Sequence, residues 1–262
     1  SSDVCSSDLS DIEKYVDICL EMGITVRVVL ESYERSKVSS FVSAVGVYPM
    51  ITYHTIALNG YEQLIKRVID ILASFIGIII SSPIMLITAL AIKLDSPGPV
   101  FFVQKRVGQN GRIFNMYKFR SMCVEAEAQK SLLVAENGLE DTIMFKMKDD
   151  PRVTRIGRFI RKTSIDELPQ LFNVLIGKMS LVGTRPPTMD EVERYDRHQW
   201  RRLSIKPGIT GLWQVSGRSD IKNFDDVVKL DVKYIDNWSL MYDFSIMLRT
   251  VLVLLGKNNG AY

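Results

Sequence analysis

Two adjacent carboxylates beside a proline form the segment of this chain best suited to chemistry. Asp166 and Glu167 precede Leu168 and Pro169, and because Pro is tolerated in the first helical turn, we expect a helix to begin between Asp166 and Leu168. The helix dipole and nearby arginines favour an ionised carboxylate there, which suits a nucleophile that attacks phosphorus. A second carboxylate next door suits Mg²⁺, which takes oxygen ligands together with substrate phosphates.

A purely structural role explains the same residues. Asp166 alone matches an ordinary helix N-cap, and Ser164 with Glu167 matches a capping box. The box would place Pro169 at the fifth helical position, where its missing N–H costs a hydrogen bond, so we discount it. From the residues alone, capping by Asp166 is favoured over nucleophilic chemistry.

Basic residues gather in three segments around this pair. Residues 101–120 hold five cations, including Lys118 and Arg120, and no acid, and residues 146–162 hold seven, including Arg161. A solvated face or contact with lipid headgroups explains these two clusters equally well. Arg185 differs, because a glycine and two prolines in the segment 183–187 fix its backbone and so preorganise its guanidinium for a phosphate.

A glycine-rich segment at residues 206–218 surrounds Trp213 and ends at Arg218. Glycines around a Trp and an Arg predict a shaped loop against a base or a sugar. A turn-rich connector explains the segment as well.

A long apolar run must place these groups relative to a membrane. Residues 71–92 carry no charge, and a helix of that length, about 33 Å, is enough to cross the hydrocarbon core. Ser82 and Pro83 interrupt its centre, and Pro83 has no N–H for the carbonyl of Ile79, so a kink or break is expected. Lys and Arg flank both ends, and both flanks favour the cytoplasmic side. A re-entrant helix–break–helix satisfies both; a kinked spanning helix and a buried soluble helix are the alternatives.

The remaining elements indicate a mixed α/β protein. We predict a helix over residues 10–22, strands over 24–30, 51–56 and 100–103, and a helix over 166–178 with a broad apolar face. That face either lies in the headgroup plane or packs on the protein core. Residues 1–9 are similar to a translated sequencing adapter or form a polar disordered tail, so we exclude them from the fold; an adapter would imply that the natural protein extends further towards its N-terminus.

Composition limits the class of protein. The chain has 262 residues, of which 47% are hydrophobic, and a net charge of +3, which excludes collagen-like and disordered classes. Three Cys without CxxC spacing exclude a disulfide scaffold and, with two His, argue against structural zinc. A mean hydropathy of +0.08 suits a soluble body with one or two membrane segments. Residues 1–60 carry −4 and the rest +7, which favours anionic partners.

Several motifs in a fixed order resemble one family. These are Lys66-Arg67-x-x-Asp70, Ser82-Pro83, Phe102-x-Gln104-x-Arg106-x-Gly108, Tyr117-Lys118-Phe119-Arg120-Ser121-Met122, Asp166-Glu167-Leu168-Pro169-Gln170-Leu171, Leu181-Val182-Gly183-x-Arg185-Pro186 and Pro207-Gly208-Ile209-Thr210-Gly211. Together they resemble the bacterial sugar transferases, the monotopic polyprenyl-phosphate phosphoglycosyl transferases. Thr184 departs from the pattern, since the family often has Pro there.

The resemblance implies a fold and a domain order. It predicts a membrane-anchored mixed α/β catalytic domain over residues 95–262 with amphipathic interface helices. A re-entrant helix over residues 61–94 would precede it, and residues 10–60 would be the end of a Rossmann-like domain. A location at the bacterial inner membrane with the catalytic domain on its cytoplasmic face follows, and a homo-oligomer is compatible with these features.

The resemblance also implies a reaction and roles for single residues. Asp166 would attack the β-phosphate of a UDP-sugar and release UMP, and polyprenyl phosphate would then take the phosphosugar. Glu167 would help to bind Mg²⁺. The residues expected at the substrates are Lys118, Arg120, Arg161, Arg185, Arg218 and Asp231.

Three other classes explain only parts of the sequence. A nucleic-acid-binding protein explains the basic clusters but neither the apolar run nor the paired carboxylates, so we expect no nucleic-acid partner. A membrane-anchored assembly or regulatory protein of polysaccharide export explains the anchor but not Asp166 and Glu167. A soluble NAD enzyme lacks its glycine fingerprint.

Overall fold

The computed structural model describes residues 9–28, 39–45, 48–54, 60–126, 150–217 and 223–254. The predictions for residues 1–8 and for Arg218 lie outside these ranges. The helices are α1 (Leu9–Glu21), α2 (Gly60–Asp95), α3 (Arg155–Lys162), α4 (Gln170–Leu175), α5 (Met189–Glu193), α6 (Leu212–Val215), α7 (Phe224–Asp236) and α8 (Leu240–Leu254), with 3-10 helices at Gln109–Gly111, Ile165–Glu167 and Arg197–Leu203. The strands are β1 (Val26–Val28), β2 (Ser39–Val45), β3 (Tyr48–His54), β4 (Phe101–Val107), β5 (Ile113–Phe119), β6 (Ser180–Val182) and β7 (Gly208–Thr210).

The N-terminal segment forms α1 and a three-stranded sheet in the order β1-β3-β2. The predicted helix over residues 10–22 and the predicted strands around β1 and β3 are confirmed, whereas β2 was missed. Both strand pairs are antiparallel, while a Rossmann fold is built on parallel strands. The Rossmann-like origin of residues 10–60 therefore stays a prediction.

The apolar run forms one helix, α2, that continues through Pro83. The hydroxyl of Ser82 donates to the carbonyl of Ile79 at 2.8 Å, which is the acceptor that Pro83 leaves without its usual N–H. The backbone is thus helical on both sides of Pro83, and the re-entrant course of this segment stays a prediction. By length and composition α2 can cross a membrane, with a mean hydropathy of 2.4 in its most apolar window, of which only 17% is buried.

The body after α2 is built on the β4–β5 hairpin and a short parallel pair. In the hairpin Phe101 lies opposite Phe119 and Arg106 lies opposite Phe114. β6 pairs with β7 in parallel. The core around the pair comprises Val182, Ile205, Leu212, Tyr234, Ile235, Trp238 and Ile246. Phe114 and Met116 of β5 pack on a second cluster with Val174 and Met179.

Candidate active site

The paired carboxylates lie on a tight turn in front of α4. Ile165–Glu167 form a 3-10 helix, and Ser164 before it has a left-handed backbone with φ 55°, which non-glycine residues seldom adopt. α4 begins only at Gln170, with Pro169 as its N-cap residue. The expected single helix over residues 166–178 is therefore divided at Pro169. Ser164 and Pro169 occupy the two N-cap positions and neither makes a side-chain cap hydrogen bond, so the Ser164 capping box is absent, and the role of Asp166 stays a prediction.

Lys118 is the cation that the fold brings to the pair. Its Nζ lies 3.2 Å from Oε1 of Glu167, and the two side chains are 25% and 20% exposed. Asp166 is more deeply placed, with 8% of its surface exposed. β5 thus supplies a positive charge at a turn that carries two carboxylates.

α4 connects the turn to the apolar helix α2. Leu171 packs against Gly77. A Cβ atom added at Gly77 would lie only 3.3 Å from Cδ1 of Leu171. Arg67 donates to the carbonyls of Val174 and Leu175 at 2.6 and 2.8 Å, which satisfies backbone acceptors at the C-terminal end of α4. The turn with Asp166 is therefore attached to the segment that suits a bilayer.

The predicted apolar face of the 166–178 segment is only partly covered. Phe172 and Ile176 are 41% and 58% exposed, whereas the polar side chains of Gln170 and Asn173 are buried. This favours the headgroup-plane alternative over burial on the protein core. Phe159 on α3 is likewise exposed.

Two further charges at the start of α2 attach it to the body. Asp70 accepts a hydrogen bond from the backbone N–H of Leu181 at 3.0 Å. Lys66 donates to the carbonyl of Val182 at 3.1 Å and pairs with Asp243 of α8. From the sequence, Lys66 and Arg67 were expected to set the orientation of the apolar run, and with Asp70 to form a family motif. Their contacts with the body were not expected, although their position just before an uncharged run is the signal for an anchoring role.

Arg185 lies in a loop that several long-range hydrogen bonds hold. Nη1 of Arg106 donates to the carbonyl of Pro186 at 3.0 Å, and the hydroxyl of Thr184 donates to the carbonyl of Arg202 at 2.9 Å. Arg185 itself lies 3.6 Å from Glu191. The preorganised backbone expected for Arg185 is present, and Thr184, the departure from the family pattern, contributes to it.

The Arg185 loop and Glu167 contact different parts of the β4–β5 hairpin. The loop accepts a hydrogen bond from Arg106, which lies opposite Phe114 in the hairpin, whereas Glu167 accepts one from Lys118. Lys118 lies four positions along β5 from Phe114, which is about 13 Å along a strand. The fold thus brings Lys118 to Glu167 and attaches the Arg185 loop to the same strand pair at Arg106.

Arg120 and Arg161 occupy different surroundings. Arg120 is 5% exposed and donates to the carbonyls of Ser96 and Pro97 at 2.7 and 2.6 Å, so its guanidinium holds the segment that follows α2. Arg161 is exposed in the last turn of α3, shortly before the turn that carries Asp166 and Glu167. The hydrogen bond from Arg152 lowers the pKa of Asp150, and the charge of Arg161 contributes to that shift.

Asp231 is buried and forms an ion pair with Arg202. It is 1% exposed and accepts from Nε of Arg202 at 2.7 Å, and Arg202 also donates to the hydroxyl of Tyr195 at 2.7 Å. Burial alone would lower the pKa of Arg202. The charges of Asp231 and Tyr195 outweigh the effect of burial, so the pKa of Arg202 is raised. Burial also raises the pKa of Tyr195 to about 12. These contacts give Asp231 a structural role behind the Arg185 loop.

Residues 61–257 match the family described as bacterial sugar transferase. The chain belongs to the bacterial sugar transferase family. It is 51% identical over 236 residues to the galactosyl transferase CpsE of Streptococcus agalactiae, covering 89% of this chain and 52% of the relative. It is 46% identical to an undecaprenyl-phosphate galactose phosphotransferase of Salmonella typhimurium, covering 77% and 42% of the two chains.

A third relative names both a donor and an acceptor. The UDP-glucose:undecaprenyl-phosphate glucose-1-phosphate transferase of Klebsiella pneumoniae is 39% identical, covering 78% of this chain and 43% of its own. This sugar transferase chain therefore spans about half the length of these curated relatives.

The donor set of this sugar transferase suits Mg²⁺. Within the ranges that the structure describes, no group of three or more His, Cys, Asp or Glu side chains gathers at one point. Mg²⁺ needs no such group, because one or two carboxylates with substrate phosphates and waters complete its octahedron. Adjacent carboxylates on one turn, with Glu167 open to solvent, provide those oxygen ligands.

Proposed function

We propose that this chain transfers a sugar-1-phosphate from a UDP-sugar to polyprenyl phosphate, as the first membrane step of polysaccharide or glycoconjugate synthesis. The observation that carries the proposal is the position of Asp166 and Glu167 on a turn between Lys118 and a helix packed on α2. Such a turn can meet a water-soluble donor and a lipid-borne acceptor. The names of the Salmonella and Klebsiella relatives support this donor and acceptor chemistry.

The reaction runs in two displacements at one phosphorus. A carboxylate oxygen of Asp166 attacks the β-phosphorus of the donor, and the bond from that phosphorus to the bridging oxygen breaks, so that UMP leaves with the electron pair. The phosphosugar is then held as an acyl phosphate. An oxygen of polyprenyl phosphate attacks the same phosphorus and displaces the carboxylate, which yields a polyprenyl-diphosphate sugar.

Cations must offset the repulsion between the nucleophile and two anionic substrates. Lys118, beside Glu167, is one candidate for this role, and Arg161 and Arg185 are others, with Arg218 assigned by resemblance only. Glu167 with Asp166 would hold Mg²⁺, which supplies positive charge against the phosphate oxygens.

The apolar surfaces support a location at the bacterial inner membrane with the body on the cytoplasmic side. α2 exposes most of its apolar side chains, and Phe172, Ile176 and Phe159 around the reactive turn are exposed as well. Burying such a surface in a bilayer gains roughly 25 cal/mol per Å². A re-entrant course of α2 would keep Lys66 and Lys93, at its two ends, on one side.

The test is UMP release from a panel of UDP-sugars with undecaprenyl phosphate and Mg²⁺. Asp166→Asn should abolish release, because an amide is a far poorer nucleophile than a carboxylate, while the melting temperature stays close to that of the wild type, because asparagine keeps the shape of the side chain and caps a helix as well as aspartate does. Asp190→Asn, at an exposed position in the first turn of α5, is the matched control and should retain activity.

Two results contradict the proposal. One is full UMP release by Asp166→Asn. The other is a folded wild-type protein that releases UMP from no UDP-sugar, which would favour the alternative of a non-catalytic assembly protein.

A further inference from the structure

A fully buried asparagine joins α4 to β5. Asn173 has no exposed surface. Its Nδ2 donates to the carbonyl of Asn115 at 2.7 Å, and its Oδ1 accepts from the backbone N–H of Tyr117 at 3.0 Å. Both polar ends of the side chain are satisfied by one strand.

These two hydrogen bonds replace a neighbouring strand. Residues i and i+2 of a β-strand direct their backbone groups to the same edge, and β4 already pairs with the other edge of β5. Within the described residues the β4–β5 sheet has two strands, and the amide of Asn173, with one donor end and one acceptor end, takes the place that a third strand would fill. An aliphatic side chain would remove the partners that the carbonyl of Asn115 and the N–H of Tyr117 have in this structure.

The backbone of Asn173 is also committed. Its carbonyl accepts from the N–H groups of Lys178 and Met179 at 3.0 and 3.1 Å. Asn173 therefore connects the end of α4 and the start of β6 to the hairpin, and hydrogen bonds of both its side chain and its backbone fix its orientation.

We propose that Asn173 is a positioning residue that sets the contact between Lys118 and Glu167. Lys118 directly follows Tyr117, which Asn173 holds, and Glu167 lies on the turn that leads into the helix of Asn173. The two-point attachment therefore fixes the strand of the cation against the turn of the carboxylates. The inference rests on the proposed function, because it assigns the contact a role in turnover.

The first test is a double-mutant cycle on kcat/KM for UMP release. Asn173→Leu keeps the branching at Cγ and lacks both hydrogen bonds, and Asn173→Asp keeps the acceptor for Tyr117 but loses the donor to Asn115. We expect Asn173→Leu to lower kcat/KM by about 100-fold, since displacing a reacting group by about 1 Å has that effect. The factor by which Lys118→Met lowers kcat/KM should then shrink towards one in the Asn173→Leu background.

Val174→Ala is the matched control. Val174 is equally buried in the neighbouring position and packs with Phe114 and Met116, so this change weakens the core without touching the two hydrogen bonds. The Lys118→Met factor should stay at its wild-type value in this background. If Lys118→Met lowers kcat/KM by the wild-type factor in the Asn173→Leu background as well, the proposal is overturned, and Asn173 contributes only to the stability of the fold.

A second readout does not depend on catalysis. In a chain whose native cysteines are replaced by serine, Lys118→Cys and Glu167→Cys should be joined rapidly by a short bifunctional thiol reagent. Adding Asn173→Leu should slow this cross-linking several-fold, while adding Val174→Ala should not. Equal rates would refute the positioning role even if the transferase proposal held, and slowed cross-linking in a protein that released no UMP would refute only the transferase proposal.

Discussion

Replacing Asp231 by asparagine separates a structural from a substrate-binding role for that residue. The change leaves the guanidinium of Arg202, 3% exposed, without its carboxylate, although Tyr195 still accepts one hydrogen bond. Breaking a buried ion pair costs about 3–5 kcal/mol, and because asparagine keeps an acceptor oxygen, we expect the lower end. At about 2–4 °C per kcal/mol for a domain of this size, a loss of about 3 kcal/mol lowers Tm by roughly 6–12 °C.

The measurement is thermal unfolding in detergent beside UMP release well below Tm. The KM for the donor should change little, because Asp231 bonds Arg202, whose carbonyl in turn accepts from Thr184. Asp236→Asn on the same helix is the control: its partner Arg201 is 29% exposed, and such a pair contributes at most about 1 kcal/mol. An unchanged Tm with a raised KM in Asp231→Asn would refute this reasoning and restore the substrate role predicted from the sequence.

Three shorter predictions test other parts of the structure. Gly157→Ala should destabilise strongly, because the new methyl group would collide with the carbonyl of Ser121; equal denaturation midpoints would contradict this. The hydrogen bond from Arg152 lowers the pKa of Asp150 in the folded protein. Asp150 therefore stabilises the folded state fully at pH values above the pKa that it has in the unfolded chain, and this contribution is lost as the pH falls through its lower pKa in the folded protein. Tm should therefore drop more between pH 6 and pH 3 in the wild type than in Asp150→Asn. A tag before Lys66 should report the cytoplasm in the wild type and partly the periplasm in Pro83→Ala, and a wild-type tag outside the cytoplasm would rule out a re-entrant α2.

Elements with a strong local pattern could be predicted from the sequence. α1 ends before Gly23 as expected, and the uncharged run is one long helix. β2 was missed, since its sequence, rich in serine and alanine, has no clear alternation of apolar and polar residues. At Pro83 the sequence predicts the lost backbone hydrogen bond but not that the hydroxyl of Ser82 bonds the carbonyl of Ile79, because that contact depends on the side-chain conformation of Ser82.

The candidate site could be predicted in its residue types but not in its contacts. The carboxylates and Lys118 were identified and lie together. Arg120 and Asp231 have suitable chemistry, but their partners Ser96 and Arg202 are distant along the chain or belong to another element. Asn173 carries no charge and falls on no apolar period, so only the edge of β5 reveals what it does.

The most direct test of the central claim is mass spectrometry of the wild-type protein after incubation with a UDP-sugar in the absence of polyprenyl phosphate. We expect at most about one UMP per site and a phosphosugar on the peptide that contains Asp166, because the covalent intermediate accumulates without its acceptor. A strict requirement for polyprenyl phosphate before any UMP appears, with no modified peptide, would contradict the covalent mechanism and indicate direct transfer in one step.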